Sequence, residues 1–162
     1  MDPSLTLREI LPFGTGHMPE IVDLWVETWS KTLPAIDFEA RRGWFVDHLV
    51  AARDDGQAIR VAFTQTGDAA GFLMIDPATG YLDQIAVGSR WWGKGIAEAL
   101  LEEARRLCPD RIELDVNQDN PRAVAFYRRN GFVEIGEGVN PRSGLATLKL
   151  EWRASMPAAL KA

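Results

Sequence analysis

The alternation of apolar and polar residues predicts a chain in which strands and helices are mixed. Short apolar or alternating runs, typical of strands, cover residues 4–11, 58–65, 70–75, 81–87, 111–116, 132–137 and 146–152. Apolar residues at helical spacing predict helices over 17–33, 37–53, 95–107 and a short segment that begins at Pro121. Pro34 separates the first two helices, because proline cannot continue a helix. We therefore expect one α/β domain over residues 1–154, with 155–162 as a flexible tail.

A glycine-containing loop joins the strand at 81–87 to the helix that follows it. The loop reads Arg90-Trp91-Trp92-Gly93-Lys94-Gly95-Ile96-Ala97. A helix N-terminus directs unpaired backbone N–H groups and the positive end of the helix dipole at one point, which favours a phosphate there. The loop is not a Walker motif, and Glu98 occupies the position where a dinucleotide fingerprint needs its third glycine.

A second segment, from Asp115 to Phe132, predicts a strand end, a short helix and a helix stop. Asn120 suits the N-cap and Pro121 the first helical position, whereas Gly131 suits the left-handed residue after the helix. Together the two segments resemble the GNAT superfamily of acyl-CoA-dependent N-acyltransferases. The resemblance is strong over residues 80–133 and rests on Arg90, Gly93 and Gly95 in the loop and on Asn120, Ala123, Tyr127, Gly131 and Phe132 in the second segment.

The resemblance implies a GNAT-like fold and an acetyl-CoA donor. The fold would be a mixed, mostly antiparallel central sheet of about seven strands, flanked by about four helices. The expected activity is transfer of an acetyl group to a primary amine by direct attack in a ternary complex. The residues expected to contact acetyl-CoA, by main chain or side chain, are Ile85, Ala86, Val87, Arg90, Trp92, Gly93, Lys94, Gly95, Ile96, Ala97, Asn120, Arg122, Ala123 and Tyr127.

The chemistry needs an acid for the leaving thiolate and a route for the proton of the amine. Tyr127 is the expected acid, because the family uses a tyrosine at this position and a phenol is protonated at neutral pH. Asp115 is the first candidate for the base, since related enzymes carry a glutamate there. Asp83 is its rival, and Glu113 shares the face of Asp115. Each of these carboxylates could instead anchor the cationic amine or be a solvated surface charge.

The acceptor is less clearly specified than the donor. Trp25 and Trp29 lie one helical turn apart and could form a wall of the acceptor pocket together with Asp83, although core packing is the alternative for the tryptophans. His17 and His48 lack partners that would indicate a metal site, so no metal is expected and both are interpreted as solvated or capping residues. Cys108 lies away from both motifs.

Composition narrows the possible partners and functions of the protein. The 162 residues carry a formal net charge of −5, which argues against a nucleic-acid partner and slightly favours a small cationic amine over a protein lysine or N-terminus. No apolar run is long enough for a membrane span, and the single cysteine suits a cytoplasmic protein. Family members often form dimers, so a homodimer is an expectation. The alternatives are a non-catalytic acyl-CoA-binding or sensing module and, more weakly, a nucleotide-binding protein.

Overall fold

A computed structural model describes residues 2–154, in which seven strands form one sheet with helices on both faces. The strands are β1 (Leu7–Pro12), β2 (Ala58–Thr64), β3 (Ala69–Asp76), β4 (Tyr81–Val87), β5 (Arg111–Asn117), β6 (Val133–Val139) and β7 (Ala146–Arg153). The helices are α1 (Met18–Thr32), α2 (Arg42–Asp54), α3 (Ile96–Leu107) and α4 (Pro121–Arg129), with 3-10 turns at Pro3–Leu5, Thr15–His17, Glu39–Arg41 and Ser89–Trp91. The predicted fold class is confirmed, whereas the predicted tail at 155–162 lies outside the described residues.

The sheet has the order β1-β2-β3-β4-β5-β7-β6, and every neighbouring pair except β4 and β5 is antiparallel. The parallel pair β4–β5 is joined at one register position only, Tyr81 opposite Glu113. The amide of Glu113 also donates to the carbonyl of Gly80 over 3.0 Å. The two strands therefore meet at their N-terminal ends and separate towards their C-terminal ends, which opens a gap in the middle of the sheet.

Gly80 allows the close approach of the two strands at the closed end of this gap. Its φ is +79°, a conformation that glycine adopts without strain. A Cβ atom at this position would lie 2.5 Å from the carbonyl oxygen of Arg111, which is far inside contact distance. A side chain at residue 80 would consequently push β4 and β5 apart where they are joined.

Two apolar clusters hold the helices against the sheet. On one face, α1 and α2 bury Ile21, Trp25 and Phe45 against residues of β2, β3 and β4 such as Phe72. On the other face, α3 and α4 contribute to a cluster that includes Leu100, Leu101, Val124 and Tyr127. Because both faces are covered, the interrupted centre of the sheet is bounded by helices above and below.

Local capping explains two differences from the predicted elements. The first predicted strand begins three residues late, since the side chain of Asp2 accepts a hydrogen bond from the amide of Ser4 and starts a 3-10 turn instead. The second predicted helix is divided. The carboxylate of Asp37 accepts a hydrogen bond from the amide of Ala40 in the 3-10 turn at Glu39–Arg41, and the α-helix begins only at Arg42.

Glu151 on β7 provides a test of the sheet's polar contacts. Its side chain is 10% exposed and accepts hydrogen bonds from Arg111 (2.6 Å) and Arg153 (2.7 Å). Burial opposes its ionisation, but the hydrogen bonds from the two guanidinium groups outweigh this effect and lower the pKa of Glu151. A carboxyl whose folded pKa is depressed stabilises the fold at neutral pH, and this contribution is lost as the pH falls through the folded pKa.

We therefore expect Glu151→Gln to lower the free energy of unfolding near neutral pH by about 1.5–3 kcal/mol, the range for hydrogen bonds to charged groups. The difference from the wild type should shrink in acid, below the usual glutamate pKa of about 4.3. Urea unfolding at both pH values measures it, with Glu102→Gln as the control because that side chain is 69% exposed. If Glu151→Gln lowered the free energy of unfolding equally at both pH values, the lowered pKa of Glu151 would be contradicted.

Candidate active site

The gap between β4 and β5 exposes main-chain groups of β4. The amide of Gly88 donates to the carbonyl of Ala70, so residues 88 and 70 form a hydrogen-bonded pair of the antiparallel ladder. Because hydrogen-bonded and non-hydrogen-bonded pairs alternate, Ile85 and Val87 direct their main-chain groups away from β3 and into the gap. Ile85, Ala86 and Val87 all line a groove with a cavity volume of about 240 Å³.

The carbonyl oxygen of Val87 is already occupied. It accepts hydrogen bonds from the hydroxyl of Thr28 (2.9 Å) and from the indole N–H of Trp92 (2.8 Å). These contacts join α1, the end of β4 and the glycine loop at one point. They hold the loop in place while leaving the amide of Val87 directed into the gap.

The glycine loop forms the far end of the same groove. Gly93 and Gly95 have φ values of +75° and +82°, a backbone conformation that residues other than glycine rarely adopt. Gly95 is the N-cap of α3, and no side chain caps this helix, so its first amide groups are available to an anion. The loop residues that line the groove are Trp91, Trp92, Gly93, Gly95, Ile96, Ala97 and Glu98. Lys94 is exposed and lies outside this lining.

The structure does not bring Arg90 into the groove. Its guanidinium donates to the hydroxyl of Ser4 over 2.7 Å and lies 5.3 Å from the ring of Trp91, because the 3-10 turn at Ser89–Trp91 directs it towards the N-terminal segment. Arg122 of α4 lines the groove instead, with its guanidinium 3.6 Å from the ring centre of Trp92. Desolvation lowers the pKa of Arg122, and no acidic side chain among the described residues pairs with it.

A second cavity, of about 770 Å³, lies at the other mouth of the gap. Helices α1 and α2 form one wall, and the loop between β6 and β7 forms the opposite wall. Trp25 and Trp29 both line it, but they differ in their surroundings. Trp25 is 4% exposed and stacks on Phe45 in the core, whereas the indole of Trp29 donates to the side chain of Gln84 and reaches the first groove as well.

The candidate carboxylates have different partners in this cavity. An oxygen of Asp83 lies 2.7 Å from Nε2 of His48. Asp115 accepts a hydrogen bond of 2.7 Å from the hydroxyl of Tyr81 and pairs with Lys149 at 3.2 Å. Glu113 pairs with Arg111 and Lys149 and does not line the cavity.

The sequence predicted a solvated or capping position for His48 and missed its pairing with Asp83. The structure places it on α2 at the cavity wall, paired with Asp83 and stacked on Trp44 with ring centres 4.8 Å apart. The other histidine, His17, accepts from the amide of Gly14 and packs against Phe63, which fits the predicted capping role. His48 and Asp83 are 35 positions apart, so no local pattern could have shown the pair.

The two cavities meet at a set of shared residues near the open end of the gap. Tyr127 of α4 is central to this junction, where it is 8% exposed and packs between Phe126 and Phe132. Burial raises the pKa of Tyr127, so its hydroxyl stays protonated at neutral pH. No described residue hydrogen-bonds to that hydroxyl. The residues that line both cavities are Trp29, Ile85, Asn120, Ala123 and Tyr127.

Asn120 holds the start of α4 at this junction. Its side chain accepts a hydrogen bond from the amide of Ala123 over 3.2 Å, and Pro121 follows it as the first helical residue. Over residues 2–154, no three histidine, cysteine or acidic side chains are grouped closely enough to hold a metal ion. Among the same residues, no helix is long and apolar enough to cross a membrane.

An interrupted sheet with a glycine loop at its gap is the arrangement of an acetyltransferase fold, and comparison with known proteins supports this class. Residues 18–132 match the model of the acetyltransferase (GNAT) family. The chain belongs to that family.

Individual relatives differ in what they acetylate. The L-amino acid N-acetyltransferase AaaT of Escherichia coli is 39% identical over 83 residues, which cover 44% of this chain and 51% of AaaT. The chain thus spans about half the length of that relative. The peptidyl-lysine N-acetyltransferase YjaB of Escherichia coli is 25% identical over 117 residues, 72% of this chain and 76% of YjaB.

A solved structure shares the fold. The PaiA N-acetyltransferase from Thermoplasma acidophilum, in complex with coenzyme A, superposes with a TM-score of 0.73 at 17% identity and covers 90% of this chain and 98% of its own. At this identity the likeness concerns the fold alone.

Proposed function

We propose that the protein transfers an acetyl group from acetyl-CoA to the primary amine of a small acceptor, by direct attack in a ternary complex. The observation that carries this proposal is the meeting of two cavities at Tyr127. One lies beside a helix N-terminus that has no side-chain cap, and the other contains paired acidic and basic side chains. The first would hold the donor and the second the acceptor.

The donor site combines main-chain and side-chain contacts. The amides at the start of α3, from Gly95 onwards, suit the pyrophosphate, because a helix N-terminus favours an anion. Arg122 adds a guanidinium without an acidic partner among the described residues. The main-chain groups of Ile85 and the amide of Val87 face the gap and would pair with the extended arm of the cofactor as a further strand would, whereas the carbonyl of Val87 is already occupied.

The reacting groups would meet at the junction of the cavities. The amide of Val87 would donate to the thioester carbonyl and stabilise the negative charge that develops on its oxygen. The hydroxyl of Tyr127 would protonate the leaving thiolate. Because Asp115 is held by Tyr81 and Lys149, we propose it as an anchor for the acceptor's ammonium rather than as the base.

The charges around the second cavity favour an acceptor that also carries a carboxylate. Arg41 and Arg142 line this cavity, and neither pairs with an acidic side chain among the described residues. The guanidinium of Arg142 lies 3.8 Å from the ring of Trp44, and that of Arg41 lies 5.8 Å from the ring of Phe38. A guanidinium that lies over an aromatic ring is attracted to it and keeps N–H donors that a carboxylate can accept. An amino acid meets both requirements, in agreement with the activity named for AaaT.

Release of free thiol from acetyl-CoA tests the proposal, with amino acids, polyamines, aminoglycosides and lysine peptides as acceptors. We expect release that depends on an amino acid and the appearance of its N-acetyl product. Saturable binding of acetyl-CoA with no release for any acceptor would favour the non-catalytic acyl-CoA-binding module instead. Release with lysine peptides alone would contradict a small acceptor.

Arg142→Ala tests the carboxylate contact. For an amino-acid acceptor we expect KM to rise by about tenfold to a hundredfold, since a hydrogen-bonded ion pair contributes roughly 1.5–3 kcal/mol. For the matching amine without its carboxylate, KM should already be high in the wild type and should change little in the variant. Arg128→Ala is the control, because that side chain is 56% exposed and lines neither of these cavities. Equal effects of Arg142→Ala on both acceptors would contradict the contact.

A further inference from the structure

Of the chain's two histidines, His48 is the one that lines the proposed acceptor cavity. It lies on the inner side of α2, lines the proposed acceptor cavity and keeps 29% of its side chain exposed. Its ring is fixed from two directions, by the carboxylate of Asp83 at 2.7 Å and by the nearly parallel indole of Trp44 at 4.8 Å. A ring held in this way has one orientation towards the cavity.

The pairing with Asp83 determines which nitrogen of His48 is free. An ionised carboxylate can only accept a hydrogen bond, so Nε2 carries the proton in the neutral ring and Nδ1 carries the lone pair. Among the described residues, Nδ1 has no hydrogen-bond partner. The imidazole therefore presents a basic nitrogen, and Asp83 stabilises the cation that forms when that nitrogen takes a proton.

The competing groups around the cavity are less suited to accept a proton. Asp115 is held by the hydroxyl of Tyr81 and by the ammonium of Lys149. The guanidinium groups of Arg41 and Arg142 stay charged and have no lone pair to offer. Tyr81 itself has a raised pKa, mainly through burial and its bond to Asp115, so it remains protonated.

We propose that His48, oriented by Asp83, is the base that removes a proton from the acceptor's ammonium group; this inference rests on the proposed acetyltransferase function. The free amine then forms a bond to the thioester carbonyl carbon, and the carbon–sulphur bond breaks. The ammonium loses two protons in all. One passes through His48 to solvent, and the other replaces the proton that Tyr127 gives to the sulphur of coenzyme A. His48 is thus a catalytic residue and Asp83 a positioning residue.

His48→Gln tests the proposal through the dependence of kcat on pH at saturating acceptor. His48 must be unprotonated to accept a proton, so the wild-type kcat should rise with pH. In the variant we expect kcat to fall by about 10²-fold or more and this rise to disappear. His17→Gln is the matched control, because His17 lines neither the groove nor the acceptor cavity and should leave both kcat and the profile unchanged.

A second comparison separates proton removal from a structural role. An acceptor fluorinated near its amine, with a pKa below the assay pH, already binds as the free base. With this acceptor His48→Gln should cost only a few-fold in kcat, whereas a damaged cavity would slow both acceptors equally. Asp83→Asn should act in the same direction as His48→Gln and should also shift the pH at which kcat rises.

The outcomes distinguish this inference from the proposed function. If the wild type releases no thiol with any acceptor, the acetyltransferase function itself fails. If the wild type is active but His48→Gln keeps the rise of kcat with pH, the base is another group. Equal losses with the ordinary and the fluorinated acceptor would likewise overturn the assignment, and unchanged melting temperatures would establish that the variants are folded.

Discussion

Gly95→Glu is expected to abolish useful binding of acetyl-CoA, with Kd rising by about 100-fold or more. Gly95 caps α3 with a φ of +82°, and its neighbours' amides form the proposed pyrophosphate site. A glutamate there would strain the loop and put a negative charge where two or three hydrogen bonds to phosphate, each of roughly 1.5–3 kcal/mol, would otherwise form. Isothermal titration of the variant with acetyl-CoA measures the effect.

The control for Gly95→Glu needs the same substitution at another glycine with a positive φ, far from the proposed donor site. Gly67 in the turn between β2 and β3 has a φ of +87°, and nothing lies within 4 Å of the position of its missing Cβ. Gly67→Glu should therefore lower the melting temperature about as much as Gly95→Glu while leaving the Kd for acetyl-CoA unchanged. Equal binding by both variants would remove the loop from the donor site.

Tyr127→Phe is expected to lower kcat by about 10²-fold with little change in the Kd for acetyl-CoA. The substitution removes only the hydroxyl, which the proposal uses after binding, to protonate the thiolate. No described residue hydrogen-bonds to this hydroxyl, so the variant should unfold at the same denaturant concentration as the wild type. Stopped-flow measurement of thiol release, together with equilibrium titration, separates the two quantities.

Tyr81, the other tyrosine of the chain, should respond differently to loss of its hydroxyl. The hydroxyl of Tyr81 donates to Asp115 over 2.7 Å, so Tyr81→Phe breaks a hydrogen bond to a charged group and should reduce stability. Tyr127→Phe should show the reverse pattern, with stability kept and kcat lost. A wild-type kcat in Tyr127→Phe would exclude Tyr127 as the acid.

Local sequence signals predicted the elements that build the site. Asn120, Pro121 and Gly131 define the start and end of α4 through capping, proline geometry and a positive φ, which depend only on neighbouring residues. The strand, loop and helix around Gly93 and Gly95 were predictable for the same reason. The family resemblance supplied the mixed, mostly antiparallel sheet of about seven strands, which no local pattern contains, whereas the order of the strands was not predicted.

Tertiary contacts explain what the sequence could not predict. Arg90 matches a loop motif, but a 3-10 turn directs it to Ser4, and Arg122 from another helix lies in the groove instead. His48 lies on α2 and Asp83 on β4, and they meet only in the folded chain, so neither residue indicates the pair by itself. Trp25 and Trp29 share a helical face, yet Trp25 stacks on Phe45 while Trp29 reaches both cavities.

A crystal structure with coenzyme A and the N-acetylated acceptor would test the central claim most directly. In our proposal the groove and the acceptor cavity are the donor and acceptor halves of one active site. We predict the pyrophosphate at the amides of residues 95–97, the sulphur within hydrogen-bond distance of the Tyr127 hydroxyl, and the acetylated nitrogen on the side of His48. Coenzyme A bound elsewhere, or with its sulphur directed away from Tyr127, would contradict it.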